Sequence, residues 1–406
     1  MTTYKHLRRI PRVFLLTQAI LLVVATAWAH HRVARTAARQ ALPALRQHPL
    51  DVAPLYDEPT VISDEQLSRV LHKLVLRDRG PRTKINHVDH ALRLWGPEAV
   101  FDQPGTISGH AMQRLLLDHR AFAKRYGDKT PPLLIDDARG PRMRVQQGLA
   151  TSSHYDHTIA CLAEAGTPLD FPVFTSRRET TFRTLVERSL RKFRLNQVEY
   201  EWSALTYALY LPPATSWTNE EGQRITFDIL ARRIMREPLT RGVCLANHRM
   251  HALVVLLRVD EQSRILSPET RREITGFLSG VTARLVAAQS VEGYWDLNWA
   301  EPSKPRDADR RPTDSARGDR ILATGHPLEW WALAPREVLP PRPVLVAAGQ
   351  WLSRTIDELS PDEVNAYYTY LSHAGRALAL WRGKRPADVL GDTRRNESSG
   401  PSAKKL

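Results

Sequence analysis

Three His-x-x-His pairs carry the most chemistry in this chain: His87/His90, His154/His157 and His248/His251. Fifteen histidines in 406 residues would give about half of one such pair by chance. The contexts agree, NHVDHAL, SHYDHTI and NHRMHAL, and His326-x-x-Glu329 repeats the spacing in GHPLEW. Residues three apart share a helix face, so both members of a pair can point the same way. Near a helix N-terminus the dipole disfavours added positive charge, which keeps an imidazole neutral. A neutral imidazole accepts a proton, bonds a hydroxyl or ligates a divalent metal. Three readings stay open: a structural cap repeated with its element, a polar ligand site, and a bound divalent metal. The metal is not favoured, because the pairs alone do not fix which ligands converge. Asp89 and Asp156 sit inside two of the pairs. Their spacing is expected to turn them away from the histidine face, as capping or supporting groups.

Aromatic residues and carboxylates fall in the same stretches. Tyr155, Trp202, Trp330 and Tyr367, with Glu199, Glu201 and Glu329 nearby, would suit a flat or hydroxylated ligand; core packing is the competing reading. The expected site has His326 as the proton-transfer group, Glu329 orienting it, and His248 as a second catalytic group. Ligand contacts are expected from His87, His90, His154, Tyr155, His157, Trp202, Asn247, His251, Trp330 and Tyr367. No Walker motif, Gly-rich phosphate loop, GxSxG elbow or HExxH is present. The two cysteines, Cys161 and Cys244, exclude a disulfide scaffold and read as buried small hydrophobes.

The elements that must position these groups follow a helical period. Charged amphipathic segments are expected at 64–78, 109–126, 177–195, 223–237, 268–288 and 344–359. Each is followed by a more apolar one: 85–96, 153–166, 199–211, 246–259, 324–335 and 364–381. Ser63 ahead of Gln66 has capping-box spacing, Ser267-Pro268 marks another start, and Ser176 a third. An apolar helix must be surrounded by protein. Six hairpins with an outer charged and an inner apolar helix can close into an all-α, six-hairpin α/α toroid. The starts of the inner helices would then collect at one mouth.

The formal charge of +14 divides unevenly. Residues 1–46 hold eight basic and no acidic residues, residues 383–406 a net +3, and residues 47–382 only +3. A basic nucleic-acid-binding body is therefore excluded as an expectation. The uncharged run Val13–Ala29, preceded by Lys5, Arg8, Arg9 and Arg12, reads as a hydrophobic N-terminal helix. It would be a signal anchor holding the toroid outside the cytoplasm, with the membrane as partner; cleavage near Ala29 is the alternative. The expected layout is 1–31 signal or anchor, 32–62 stalk, 63–382 toroid and 383–406 disordered basic tail. Residues 301–320 are expected to form a mobile loop.

Residues 285–295, LVAAQSVEGYW, contain Gln289-x3-Gly293-x-Trp295. They resemble most of the QW motif of the squalene cyclase and prenyltransferase-type repeat, which implies an α/α toroid. The basic-Gly start of that motif is out of register, the acidic DxDD motif of the protonating cyclases is absent, and so is a matching Asp/Cys/His zinc set. Gly325–Trp330 is similar to the GHxxEW signature of N-acylglucosamine 2-epimerase relatives. That likeness implies an acid/base role for His326 with Glu329 holding it. Asn247-His248 is similar to the Asn-His pair of toroidal polysaccharide lyases. The expectation is a membrane-anchored toroid that binds or modifies a glycan or small molecule, isomerase- or lyase-like. The alternatives are a non-catalytic envelope scaffold and a terpenoid cyclase relative.

Overall fold

A computed structural model describes residues 9–39, 42–213, 216–301 and 315–390; the side chains of the first helix are described from 14 to 29. That helix, α1, spans Arg9–Arg39. Its described apolar side chains, including Phe14, Leu16, Leu22 and Trp28, are exposed. Among the described residues no helix is long and apolar enough to cross a membrane. The described side chains of α1, residues 14–29, are mostly apolar but not wholly so. Thr17, Gln18 and Thr26 interrupt them. The transmembrane anchor at 13–29 and the location built on that anchor are corrected accordingly.

The rest of the chain is mostly helical. In order it forms α2 (Asp64–Lys73), α3 (Ile85–Trp95), α4 (Gly109–Leu117), α5 (His119–Tyr126), β1 (Leu134–Asp137), β2 (Gly140–Met143) and α6 (His157–Glu164). It continues with β3 (Pro172–Phe174), β4 (Glu179–Thr181), α7 (Phe182–Lys192), α8 (Glu201–Tyr210), β5 (Ser216–Thr218), β6 (Arg224–Thr226) and α9 (Phe227–Arg236). Last come α10 (Asn247–Ser263), α11 (Pro268–Ala288), α12 (Ala316–Trp331), α13 (Arg342–Asp357), α14 (Pro361–Ala366) and α15 (Tyr368–Trp381).

Local chemistry sets several of these boundaries. Ser63 and Gln66 form the capping box at α2, and Ser267 caps α11 with Pro268 in its first turn. Ser360 and Glu363 form a second capping box at α14. Ser176 does not start a helix: 172–181 folds back as the β3–β4 hairpin, so α7 begins at Phe182. The β1–β2 and β5–β6 hairpins are likewise antiparallel pairs too short for an alternating pattern to mark them.

Helices α3, α6, α8, α10, α12 and α15 are buried along almost their whole length. Each packs against the next in that order, and α15 packs against α3. The more polar helices lie outside them, and the first and last of these meet, α2 against α13. Arg69 Nε reaches Asp357 Oδ2 at 3.4 Å across that junction. The QW-like residues tie two outer helices together. Gln289, at the end of α11, donates to the carbonyls of Gly293 (3.0 Å) and Val344 (2.9 Å). Trp295 Nε1 donates to Leu285 O at 2.7 Å.

Residues 42–62, read as a stalk, instead lie across the C-terminal ends of the inner helices. The backbone N–H groups of Arg46, Leu50 and Glu58 donate to the carbonyls of Tyr210, Leu209 and Trp381 at 2.8, 3.0 and 2.7 Å. These are the carbonyls a helix end leaves without partners. The expected tail also starts late, since Val389 and Leu390 are buried; residues 391–406 lie outside the described part. Within the expected loop 301–320, residues 302–314 lie outside it too, and α12 is already helical from Ala316.

Candidate functional site

Each of these six buried helices contributes one ring to a closed circuit. His90 (α3) lies 4.7 Å from His157 (α6), ring centre to ring centre, and His157 4.6 Å from Trp202 (α8). Trp202 lies 4.2 Å from His248 (α10), which is 4.9 Å from His326 (α12). His326 stacks on His373 (α15) at 3.9 Å, and His373 closes the circuit on His90 at 5.3 Å. All six rings are less than a tenth exposed.

Hydrogen bonds fix how these imidazoles face. His90 Nδ1 meets Asn86 O at 2.7 Å and Asp89 Oδ1 at 2.9 Å. His157 Nδ1 meets Asp89 Oδ2 at 3.2 Å, His326 Nδ1 meets Leu322 O at 2.9 Å, and His373 Nδ1 meets Glu329 Oε2 at 2.6 Å. Carbonyl and carboxylate acceptors at these distances place the proton on Nδ1; at His373 the shorter Glu329 contact outweighs Arg93 Nη1, which lies 3.2 Å from the same nitrogen, and His157 Nε2 faces Cys161 Sγ at 3.7 Å. The Nε2 atoms of His326 and His373 are buried without a hydrogen-bond partner. Burial, the largest effect, pushes His157 and His326 down to about 4 and His248 and His373 well below the ordinary imidazole value. At neutral pH these four rings are uncharged.

One turn further along the helices lies a charged layer. Arg93 is three residues past His90, His251 three past His248, Glu329 three past His326, and Arg376 three past His373. Arg93 Nε meets Glu164 Oε2 at 2.6 Å, and its Nη1 meets Glu329 Oε1 at 2.7 Å. Arg376 reaches the same two carboxylates at 3.1 and 2.6 Å, and His251 Nε2 meets Glu164 at 2.9 Å. Two guanidinium groups thus balance two carboxylates. Burial alone would raise the carboxyls, but Arg93, with His251, His373 and Arg376, holds both well below the ordinary range. Beyond this layer, at the C-terminal ends of the helices, lies a cavity of about 670 Å³ bounded by Arg93, Glu164, Arg376 and residues 48–54 of the crossing segment.

The N-terminal ends are shaped by strained backbone. Asp156 (φ 56°), Glu199 (φ 54°) and Cys244, Leu245 and Ala246 (φ 50°, 60° and 62°) are left-handed non-glycine residues just ahead of α6, α8 and α10. Each such residue costs roughly 1–3 kcal/mol unless its surroundings hold it. Asp156 is held by the hydroxyls of Ser189 and Ser203, and Asn247 Nδ2 donates back to Cys244 O at 2.9 Å.

The structure brings together five of the expected residues in the ring circuit: His90, His157, Trp202, His248 and His326. It separates the rest. His251 and Glu329 belong to the charged layer. His87 is packed against Tyr368 at 5.3 Å, and His154 is half-buried, paired with Glu199 at 2.8 Å. Tyr155 lines a shallow recess beside Arg188, and Tyr367 is half-buried at the end of α14. Trp330 donates to Asn247 Oδ1 at 3.2 Å, which makes that pair a brace between α10 and α12. Glu329 does not orient His326; it holds His373. Asp89 does not turn away from the histidines, since its two oxygens join His90, His157 and Thr158 Oγ1. His373, Arg93, Glu164 and Arg376 were not anticipated. The signal was the same i, i+3 spacing in His373-x-x-Arg376 and His90-x-x-Arg93.

Among the described residues two groups have the donor types of a metal site: Cys244, His248 and His326, and Asp89, His157 and Cys161. In the second, Asp89 is occupied by three partners, and burial pushes the Cys161 thiol far up. Cys161 is a buried small side chain as expected; Cys244 is half-buried in the left-handed turn.

Comparison of the chain with protein-family models, with curated proteins and with solved structures finds no match.

Proposed function

We propose that the chain is a six-hairpin α/α toroid whose axis carries an acid–base site for a small polar molecule. His373 is the proton-carrying group and Glu329 its positioning partner. The circular order of inner-helix contacts supports the toroid, as does the QW-like seam at Gln289 and Trp295. The epimerase-like GHxxEW stretch fits this reading with one change: its glutamate serves His373 from the neighbouring helix.

The observation that carries the acid–base reading is the His373 geometry. A carboxylate 2.6 Å from Nδ1 fixes the tautomer, and Nε2 is left buried without a partner. A ring held this way is oriented to take or give a proton at one defined atom. A purely structural imidazole in so dry a place would be expected to bond through both nitrogens.

The test needs no prior substrate. The full-length protein is incubated in D₂O with a panel of small sugars, hydroxy acids and amino acids, and carbon-bound deuterium is read by mass spectrometry. At least one class should exchange, and His373→Ala should slow that exchange by roughly 100-fold or more. No exchange by the wild type, or equal exchange by the variant, refutes the reading.

A further inference from the structure

We propose that Cys244, His248 and His326 bind one transition-metal ion of the zinc type, with a fourth coordination position left open. The thiol and one ring nitrogen from each histidine all lie within 4.8 Å of one another. Tetrahedral zinc with ordinary bond lengths would hold such atoms about 3.3–3.8 Å apart. Closing the set around an ion therefore needs movements of about 1 Å.

Three further features point to a ligand. His326 donates Nδ1–H to Leu322 O, and its buried Nε2 has no hydrogen-bond partner. That is the arrangement of a metal-binding histidine, one nitrogen oriented by an outer acceptor and the other free to coordinate. The thiol is delivered by the left-handed turn 244–246. Asn247 braces that turn to α12 by accepting from Trp330 and donating to Cys244 O. The chain thus fixes the cysteine relative to the helix that carries His326. The donor set of one thiolate and two imidazoles suits zinc or cobalt and not a hard oxygen-seeking cation. Three protein ligands rather than four match a site that keeps a place for water or substrate. On binding, the Cys244 thiol forms the sulfur–metal bond and loses its proton to solvent.

The inference stands apart from the acid–base reading, because its readouts do not involve turnover. Full-length protein stripped by a chelator is titrated with Co²⁺. One equivalent should develop a thiolate-to-cobalt charge-transfer band. Cys244→Ser should abolish the band, and His326→Gln should weaken binding by at least 10–100-fold, since losing even an outer partner of a ligand costs about that much. Cys161→Ser should leave the band intact. A second measurement uses only the wild type: Zn²⁺ should protect Cys244 from alkylation, read by peptide mass, so a variant that fails to fold does not end the test. A folded wild type with no band and no protection overturns the proposal. So does a band that survives Cys244→Ser or disappears in Cys161→Ser.

Discussion

Glu201 gives the clearest link between the fold and a measurable pH dependence. It opens α8, one residue before the ring member Trp202, and is 3% exposed. Burial, helped by the nearby Glu199, pushes its carboxyl from 4.5 up to about 7, against the pull of Arg249 and His154. A carboxyl whose folded value lies above its unfolded value favours folding in its protonated form. That contribution is complete below pH 4.5 and is lost as pH rises through about 7. The gap corresponds to roughly 3 kcal/mol. Glu201→Gln removes the titration while keeping the shape. Urea unfolding of both proteins at pH 4, 6 and 8 reads the difference between them. That difference should move in favour of the variant by up to about 3 kcal/mol between pH 4 and 8, with most of the change between 4.5 and 7. A difference that stays flat across this window would show that Glu201 does not remain buried as it ionises, or that solvent reaches it.

Two further outcomes concern the scaffold. Arg93→Met should destabilise the protein by about 3–5 kcal/mol in urea unfolding, because it removes the guanidinium shared by the buried carboxylates Glu164 and Glu329. An unchanged midpoint would mean that Arg376 alone compensates both carboxylates. Gly293→Ala should cost about 2 kcal/mol or more: the residue sits at φ +103°, and an added Cβ would lie 2.4 Å from Ala347 O. A variant as stable as the wild type would remove the QW-like seam from the account of how α11 and α13 are joined.

The helical period gave the alternation of elements, and serine caps gave several boundaries. The hairpins β3–β4 and β5–β6 escaped because three-residue strands carry too little alternation to compete with a flanking helical pattern. The α12 start escaped because RPTDSARGDR reads as polar loop until Ser315 is seen capping it. The apolar run at 13–29 misled in the other direction, its composition suggesting a membrane span that the described helix does not support. The site was legible in residue types more than in roles. Spacing says which side chains share a helix face, but which of them meet across helices depends on how far each helix slides past its neighbours.

That sliding explains why identical motifs do different work. His248/His251 reaches from the ring circuit into the charged layer, whereas His87/His90 begins one turn earlier and only His90 joins the circuit. On α3 the equivalent of His251 is Arg93, on α15 it is Arg376 and on α12 it is Glu329. The recurring unit is therefore a histidine followed three residues later by a group that bonds within the charged layer, not a pair of histidines. Helix α6 keeps the histidine but places its carboxylate, Glu164, seven residues on, a further turn along the same face. Two acids and two guanidiniums drawn from four different helices compensate one another only when all four are docked, and two of the circuit's imidazoles, His90 and His157, are joined through a single carboxylate, Asp89. The layer that specifies how the inner helices align is thus the same layer that orients His373 from below. A substitution there should be felt first as a change in the stacking of His326 on His373.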